Sequence, residues 1–174
     1  MKKKMFKIGI MVALFLMIIT GCNQKQLKDK VEITQDFVSI TEIQEDRPNI
    51  YVIVKSMTSS YWEEVLDGTK QAGIDYKCNI YAIGSNLETE WELQEAYIER
   101  AVENGADAII LGPDNSEMLV PAVEMLHNKR IPIIIVDTIV NSDKYDVCYM
   151  TDNLLAGETA AREMIRMLKE QGHS

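Results

Sequence analysis

The sequence predicts an α/β fold, a doubly wound parallel sheet in the strand order 2-1-3-4-5 with helices on both faces. Two observations support this. Five apolar runs alternate with segments long enough for helices between Asn49 and Gln171. The runs are apolar almost without interruption, which is typical of strands that are buried on both faces of a parallel sheet. The predicted strands cover residues 49–55, 79–82, 108–111, 132–136 and 147–150.

The helices between these strands carry start and stop signals. Ser60 with Glu63 fits a capping box at the start of the first helix, and Thr89 begins a second box before the next helix. Residues 104–105, Asn-Gly, are a typical helix end, and Pro121 lies in the opening turn of the third helix, where proline is tolerated. The sheet therefore has helical connections of the expected length and position.

The last predicted helix covers residues 154–171 and has the most regular pattern in the chain. Small and apolar residues repeat at helical spacing, so they share one face. Gly172 follows and predicts the end of the helix. The residues on this face are Gly157, Ala160, Ala161, Met164, Ile165 and Leu168.

The first residues predict export. Four lysines within the first seven residues precede an apolar segment, residues 8–19, which is shorter than a membrane span and has the proportions of a secretion signal. The run Ile19-Thr20-Gly21-Cys22 resembles a bacterial lipobox, which marks a cysteine for lipid attachment. We therefore expect residues 1–21 to be a lipoprotein signal peptide. An uncleaved signal anchor with a chance cysteine is the alternative.

Lipidation at Cys22 predicts an extracytoplasmic protein that is anchored to the cell membrane as a lipoprotein. Two acyl chains hold a protein on a bilayer stably, whereas one does not. Residues 22–48 are rich in Gln, Lys, Asp and Glu and are expected to form a polar spacer. Weak alternation between Val31 and Ile43 is compatible with one short strand or turn in this spacer.

The charge excludes nucleic acid as a partner. The chain has 18 Lys and Arg, four of them in the signal peptide, against 27 Asp and Glu, so the exported part carries a formal charge of −13. Phosphate backbones repel such a chain. The roughly 125 residues after Arg47 are enough for one domain with its own core.

Enzyme chemistry has little support in the sequence. The loop after the first strand has no glycine with which to hold a phosphate, and the chain has no G-x-S-x-G motif. His127 and His173 lie in polar segments, and no His or Cys residues cluster as metal ligands would. We therefore expect a binding protein with no catalytic residues, no cofactor and no metal site.

The order of several short motifs resembles a known family. The matching segments are residues 59–62 (SSYW), 67–68 (DG), 106–110 (ADAII), 131–137 (IPIIIVD), 151–153 (TDN) and 156–157 (AG). Together they are similar to the first part of a type I periplasmic binding protein of the ribose-binding-like, sugar-binding group. The resemblance implies that residues 49–152 form the N-terminal lobe. It also implies that residues 153–174 are the first helix of a second lobe that this sequence lacks.

The resemblance also implies a sugar site in the loops after the strands. Sugar rings present apolar C–H faces and a set of hydroxyls, so a site needs flat aromatic surfaces and polar groups. Tyr61 and Trp62 match family aromatics that stack on the ring, and Ser59 takes the place of a polar contact. Asp137 matches an aspartate that binds sugar hydroxyls. The alternative is that one of the two aromatic residues only packs in the core.

Other positions depart from the ribose-type pattern. Gly112 stands where many members have asparagine, and Thr138 stands where they often have arginine. Asp114 is either a substitute ligand contact or a cap for the third helix. Thr151 and Asp152 match a family segment at the crossing between lobes and are further candidate contacts, with Asn153 as a candidate helix cap.

Two functions follow from the resemblance. The first is a lipid-anchored, truncated binding protein that captures a sugar or sugar-like small molecule and delivers it to an ABC permease. The second is a sensory binding protein of the same fold that signals to a membrane receptor or histidine kinase. A fragment, a truncated gene or a split protein would each explain the missing lobe. In each case we expect residues 23–174 alone to bind sugar negligibly, with roughly millimolar affinity. We also expect the exposed apolar face of the last helix to cause either aggregation or fast amide exchange after Asn153.

Overall fold

The structure is a computed structural model that describes residue 31 and residues 33–173. The predicted signal peptide, Cys22 and the first part of the spacer lie outside the described residues. In the described part, the elements follow the predicted alternation of strands and helices. They are β1 (Val38–Ser39), β2 (Asn49–Val54), α1 (Ser60–Tyr76), β3 (Asn79–Gly84), α2 (Trp91–Glu103), β4 (Ala108–Leu111), α3 (Val120–Lys129), β5 (Ile133–Val136), β6 (Val147–Tyr149) and α4 (Asn153–Glu170).

The sheet confirms the predicted topology and adds one strand. Its order is β1-β3-β2-β4-β5-β6, and all pairs from β3 to β6 are parallel. The five predicted strands therefore stand in the order 2-1-3-4-5. The additional strand β1 pairs antiparallel with β3 at the edge, through Val38 opposite Ala82. Two residues are too few to give a periodic signal, so the sequence indicated β1 only as a weak alternation.

One face of the sheet, here the α2/α3 face, is closed by helices α2 and α3. Ile53, Ile109 and Ile135 point into it from β2, β4 and β5 and are fully buried. Tyr97 of α2 and Leu126 of α3 cover these strand residues and are buried themselves. This face holds the larger of the two apolar clusters in the described residues.

The opposite face, here the α1 face, is covered only in part. Helix α1 packs Trp62 and Leu66 against Val52 of β2 and Ile80 of β3. Cover decreases from there across the sheet. The α1-face residues of β4 and β5, Ile110, Ile134 and Val136, are half-buried, and those of β6, Val147 and Tyr149, are exposed by 40% and 65%.

Helix α4 is exposed along its whole length. Its N-cap is Asp152, whose Oδ1 accepts a hydrogen bond from the Leu155 N–H at 2.9 Å, so Asn153 is not the cap. Within the described residues, no helix is long and apolar enough to cross a membrane. The exposed apolar residues of α4 are Leu154, Leu155, Met164, Ile165, Met167 and Leu168.

The two predicted capping boxes are wrong, whereas other helix signals are confirmed. The N-cap of α1 is Ser59 and that of α2 is Glu90, and neither side chain caps its helix. The Glu90 carboxylate instead accepts from the Leu87 N–H in the preceding loop. Helix α2 ends before Gly105, which has a φ of 80°, and Pro121 lies in the first turn of α3.

Candidate functional site

The loops after β2 and β5 meet at the carboxyl edge of the sheet, as the topology predicts. Lys55 directly follows β2, and Asp137 directly follows β5. Their side chains are joined by an ion pair, with Lys55 Nζ 2.8 Å from Asp137 Oδ2, across 82 residues of sequence. The residue after β4, Gly112, is tied to β2 because its N–H donates to Ile53 O at 2.8 Å.

Lys55, Asp137 and Thr138 form a closed hydrogen-bonded group. Lys55 Nζ also donates to Thr138 Oγ1 at 2.7 Å, and Thr138 Oγ1 donates to Asp137 Oδ2 at 2.9 Å. Asp137 adopts a φ of 73°, a left-handed conformation that is uncommon for residues other than glycine and that often occurs at functional sites.

The charge state of Asp137 follows from this group. Burial raises the pKa of its carboxyl, but the hydrogen bonds from Lys55 and Thr138 and the charge of Lys55 outweigh burial, so the pKa lies below its usual value. Asp137 is therefore an ionised acceptor at neutral pH. An ionised carboxylate is a strong hydrogen-bond acceptor for hydroxyl groups.

Tyr61 opens α1 beside this group. The residue is 51% exposed, so part of its flat apolar ring is open to solvent. Burial, and then the negative charge of Asp137, raise the pKa of the Tyr61 phenol, whereas the positive charge of Lys55 lowers it. The Tyr61 ring meets the Trp62 ring edge to face, with centroids 5.0 Å apart.

Trp62 lies beneath the site rather than on its surface. Its side chain is only 2% exposed, and its Nε1 donates to Glu88 Oε1 at 3.1 Å. The indole lies against Gly112, where a Cβ atom would stand 2.4 Å from Trp62 Cη2. The indole therefore occupies space that any side chain at position 112 would need. In this conformation Trp62 is a packing residue, and Tyr61 offers the accessible ring.

Asp114 follows β4 and is held by a buried glutamine. Gln94 of α2 accepts from the Asp114 N–H at 2.8 Å and donates to Gly112 O at 2.7 Å. Both Asp114 carboxylate oxygens are buried and have no hydrogen-bond partner of normal geometry among the described residues. The capping alternative is wrong, because the N-cap of α3 is Leu119 and the preceding turn is capped by Asn115.

The environment of Asp114 favours its neutral form. Burial raises the pKa of the carboxyl most, Lys55 lowers it, and the charges of Glu88 and Glu90 raise it further, to about 7. An unpaired buried carboxyl costs free energy, and such groups occur where a ligand or a moving side chain completes the hydrogen bonding. Asp114 is thus a candidate contact whose buried oxygens a ligand reaches only after a side chain moves.

The remaining candidates lie at the margins of the site. Ser59 precedes α1 and is half-buried, and its hydroxyl makes no capping bond. Thr151 and Asp152 are exposed just after β6, whose Tyr149 O accepts from the Asp137 N–H at 2.9 Å. They therefore follow a strand end that adjoins Asp137. One oxygen of Asp152 is already used as the α4 cap.

Sequence reasoning missed Lys55 and Gln94. A lysine at the end of an otherwise apolar strand, at the edge where ligands bind, was a signal for Lys55. An amide on the same helical stripe as Tyr97, Ile98 and Ala101 was a signal for Gln94. No group of three or more His, Cys, Asp or Glu side chains in residues 31 and 33–173 is arranged to hold a metal ion.

Comparison with known proteins agrees with this architecture. Residues 50–173 match the family model of the periplasmic binding protein domain. The chain is 23% identical over 94 residues to a D-ribose/D-allose-binding protein of Pseudomonas aeruginosa. It is 28% identical over 68 residues to the ribose import binding protein RbsB of Bacillus subtilis. The aligned parts are 53% and 39% of this chain, and they span only 30% and 22% of those relatives.

Two solved structures are more similar in sequence. An ABC transporter solute-binding protein from Agrobacterium vitis with bound D-fucose is 36% identical, with a TM-score of 0.63, and the match covers 69% of this chain and 43% of that one. A carbohydrate transporter solute-binding protein from Agrobacterium radiobacter in complex with D-arabinose is 31% identical, with a TM-score of 0.67. This match covers 73% of this chain and 43% of that one. The chain belongs to the periplasmic binding protein domain family, and over part of their length it is similar to the type I members that bind sugars.

Proposed function

We propose that this chain forms the N-terminal lobe of an extracytoplasmic binding protein for a sugar or a sugar-like small molecule. The observation that carries the proposal is the group of Lys55, Asp137 and Thr138 beside the exposed ring of Tyr61. The group offers an ionised acceptor and a fixed donor next to an aromatic surface. This is the combination that a ring with apolar faces and equatorial hydroxyls requires.

The other site residues have supporting roles in this proposal. Trp62 fixes Tyr61 and the loop after β4 from below, Asp114 supplies a second carboxyl, and Ser59 supplies a hydroxyl. Thr151 and Asp152 complete the rim after β6. The solute-binding proteins crystallised with D-fucose and D-arabinose support a monosaccharide as the ligand and make these two sugars, with D-ribose, the first to test.

The affinity of residues 23–174 is expected to be low. Sugar-binding proteins of micromolar affinity have about −8 kcal/mol of binding free energy, and half of that corresponds to roughly millimolar binding. The chain spans 43% of the solved proteins, so we assign it about half of the contacts. Ligand-observed NMR is sensitive in this range.

The test compares two matched aspartates. Asp137→Asn keeps the shape and tolerates the left-handed backbone, and it should weaken binding about 10- to 100-fold because a charged acceptor is lost. Asp143→Asn, in an exposed loop six residues further on, should stay within about twofold of the parent. Saturation-transfer NMR with the three sugars measures both. Equal binding by Asp137→Asn and the parent would place the site elsewhere.

Export and anchoring form a separate part of the proposal. The family implies an extracytoplasmic protein, and the lipobox-like run supports lipidation of Cys22. Cys22→Ala should release the protein from membranes or leave an unprocessed precursor of lower mobility. Unchanged membrane retention together with unchanged mobility on a gel would contradict lipidation.

Delivery of the sugar to an ABC permease is our preferred role, because both similar solved proteins are transporter components. Sensing is the second candidate. A fructose-binding periplasmic domain of a hybrid two-component system has the same fold, with a TM-score of 0.64 at 22% identity. A permease and ATPase encoded beside this gene would support transport, whereas a histidine kinase and a response regulator would support sensing.

A further inference from the structure

The segment before β2 is part of the folded lobe, although the matched family domain begins only at residue 50. Ile33 packs on the apolar cluster of the α2/α3 face, and contacts with α2 and β3 continue from there to Arg47, whose carbonyl accepts from the Asn79 side chain. We call residues 33–47 the strap. Because the strap precedes the matched domain, the family match does not account for it.

The first half of the strap is held by the last turn of α2. Arg100 Nη1 donates to the Gln35 carbonyl at 3.3 Å, and Arg100 Nη2 lies 2.6 Å from Asp36 Oδ1. The ring of Phe37 then meets the ring of Tyr51 edge to face, with centroids 4.7 Å apart. Since the Asp36 side chain is largely exposed, its ion pair stabilises little. The half-buried Phe37 ring is therefore the main contact.

The second half of the strap runs beside β3. The Ile40 N–H donates to Ile80 O at 3.0 Å, and Thr41 Oγ1 accepts from the Ile80 N–H at 2.9 Å. Gln44 then pairs with the buried side chain of Asn79, the first residue of β3. The Gln44 N–H donates to Asn79 Oδ1 at 2.9 Å, and the Gln44 carbonyl accepts from Asn79 Nδ2 at 2.8 Å. The strap therefore ends where β3 begins.

Both ends of the strap lie near the amino edge of the sheet, where the parallel strands begin. Arg100 is in the last turn of α2, which leads into the start of β4, and Asn79 starts β3. The candidate sugar site lies at the carboxyl edge, around Asp137. Strand β2 extends over six residues, so the two edges are roughly 17 Å apart at about 3.3 Å per residue. The chain thus enters the lobe on the side remote from the site.

The strap also limits the distance between Cys22 and the lobe. Ten residues, 23–32, connect Cys22 with Ile33, and they can span at most about 35 Å. If the whole segment before β2 were a spacer, its 26 residues, 23–48, could span at most about 90 Å. Packing of the strap therefore shortens the reach of the connection by more than half.

Building on the lipidation of Cys22 in the proposed function, we propose that the strap orients the lobe on the membrane. The amino edge is the surface that faces the lipid headgroups, and the site at the carboxyl edge faces away from them. The reason is that a tether of ten residues enters at the amino edge. This edge therefore stays within about 35 Å of the bilayer and is on average nearer to it than the carboxyl edge.

The experiment measures how close each backbone amide comes to a lipid surface. Residues 22–174 with Cys78→Ala and Cys148→Ala are coupled through the Cys22 thiol to a maleimide-bearing phospholipid in phosphatidylcholine nanodiscs. This coupling attaches the chain at Cys22 whether or not cells lipidate it. A fraction of the lipids carries a gadolinium chelate, which broadens amide NMR signals more strongly the nearer they lie to the surface. Nanodiscs without gadolinium give the reference intensities.

Two neighbouring substitutions test the strap itself. Phe37→Ala removes the ring that packs on Tyr51, whereas Val38→Ala, the matched control, trims a side chain on a residue that is 56% exposed. Exchange rates of the Ile40 and Gln44 amides report whether the strap is docked, because both amides donate to β3. The remaining amide spectrum establishes that each variant is folded.

We expect the parent and Val38→Ala to lose most signal at the amino edge, in residues 44–49 and 104–107, and least in the loops after β2 and β5. Phe37→Ala should speed exchange of the two strap amides about tenfold or more, and Val38→Ala by less than about threefold. In Phe37→Ala the difference in broadening between the two edges should fall about twofold or more, because the released strap lengthens the tether.

Three results would overturn the inference. Equal broadening at both edges of the parent, or stronger broadening at the carboxyl edge, would mean that the tether does not orient the lobe. Fast strap exchange in Phe37→Ala with an unchanged difference between the edges would mean that the strap is not the cause. Unchanged strap exchange in Phe37→Ala would contradict docking through this ring. Failure of lipidation is a separate result, seen by fractionation of Cys22→Ala, and it leaves the docking of the strap intact.

Discussion

The two faces of the sheet are made by the same strands, yet their cover differs. On the α2/α3 face, Ile109, Ile133 and Ile135 have no exposed surface. On the α1 face, the alternate residues Ile110 and Ile134 are only half-buried. The sequence of these strands is apolar on both faces, which is typical of a sheet with two covers. The described residues supply one complete cover and half of the other.

Helices α3 and α4 show the same contrast. Both have an apolar stripe at helical spacing, and the stripe of α4 is at least as regular. Val123 and Leu126 of α3 are fully buried, whereas Ile165 and Leu168 of α4 are exposed. Periodicity therefore predicts that a helix forms and which side is apolar. It does not identify what packs against that side.

Hydrogen exchange should show the largest difference between the two regions. Amides of β2 and β4 are buried in the sheet and should exchange only through global unfolding, with an opening free energy of about 5 kcal/mol or more. Amides after Asn153 should open locally, at about 0–2 kcal/mol. Mass spectrometry of exchanged peptides from residues 23–174 measures both. Equal protection of α4 and the central strands would mean that α4 is packed in solution.

Truncation of one leucine on each helix tests the same contrast energetically. Leu126→Ala on α3 should lower the free energy of unfolding by about 2–5 kcal/mol, because it leaves a cavity in a closed core. Leu168→Ala on α4 should change it by less than about 0.5 kcal/mol. Urea unfolding provides the values. Similar losses for the two variants would contradict the difference in burial.

Two glycines, Gly112 beside the Trp62 indole and Gly68 on the exposed side of α1, test how tightly Trp62 is packed. Gly112→Ala should lower the free energy of unfolding by about 1–3 kcal/mol, because the new Cβ collides with the indole. Gly68→Ala is the matched control in the middle of α1, where nothing lies within 4 Å, and should stabilise by about 0.5–1 kcal/mol. Both are read from urea unfolding. A stable Gly112→Ala variant would show that Trp62 can move aside at little cost.

Asp114→Asn should give the smallest effect, and one that depends on pH. Because the folded-state pKa is raised to about 7, the folded protein keeps a proton between about pH 4 and 7 that the unfolded chain has lost. The free energy of unfolding of the parent therefore falls as pH rises through this window. Asn does not ionise, so the free energy of unfolding of the variant does not fall in this way. The difference in this free energy, variant minus parent, should therefore be about 1–2 kcal/mol larger at pH 8 than at pH 5.

Urea unfolding of the parent and of Asp114→Asn at both pH values tests this. The pKa of Asp137 lies below its usual value, so its titration falls below this window and does not contribute. An identical difference between variant and parent at pH 5 and pH 8 would show that Asp114 is ionised in both folded and unfolded protein across this range.

The sequence predicted the sheet correctly because the strand signal depends on local composition. The apolar runs of β2 to β6 and the helix end at Gly105 are read from neighbouring residues. Lys55 and Asp137 meet because their strands end at the same edge of the sheet. The position of the site at this edge was therefore predictable, although Lys55 itself was overlooked. The packing of Trp62 on Gly112 depends on how closely α1 approaches β4, which no local pattern records. The capping boxes failed because each helix has its N-cap at a neighbouring residue, Ser59 rather than Ser60 for α1 and Glu90 rather than Thr89 for α2.

Chemical-shift mapping shows whether the carboxyl edge of this sheet binds a sugar. ¹⁵N-labelled residues 23–174 are titrated with D-fucose, D-arabinose and D-ribose up to roughly 50 mM, well above a millimolar dissociation constant. We expect shifts confined to the loops after β2, β4 and β5, around Lys55, Asp114 and Asp137. Shifts confined to the opposite edge, at the pocket lined by His127 and Asp146, or no shifts with any of the three sugars, would contradict it.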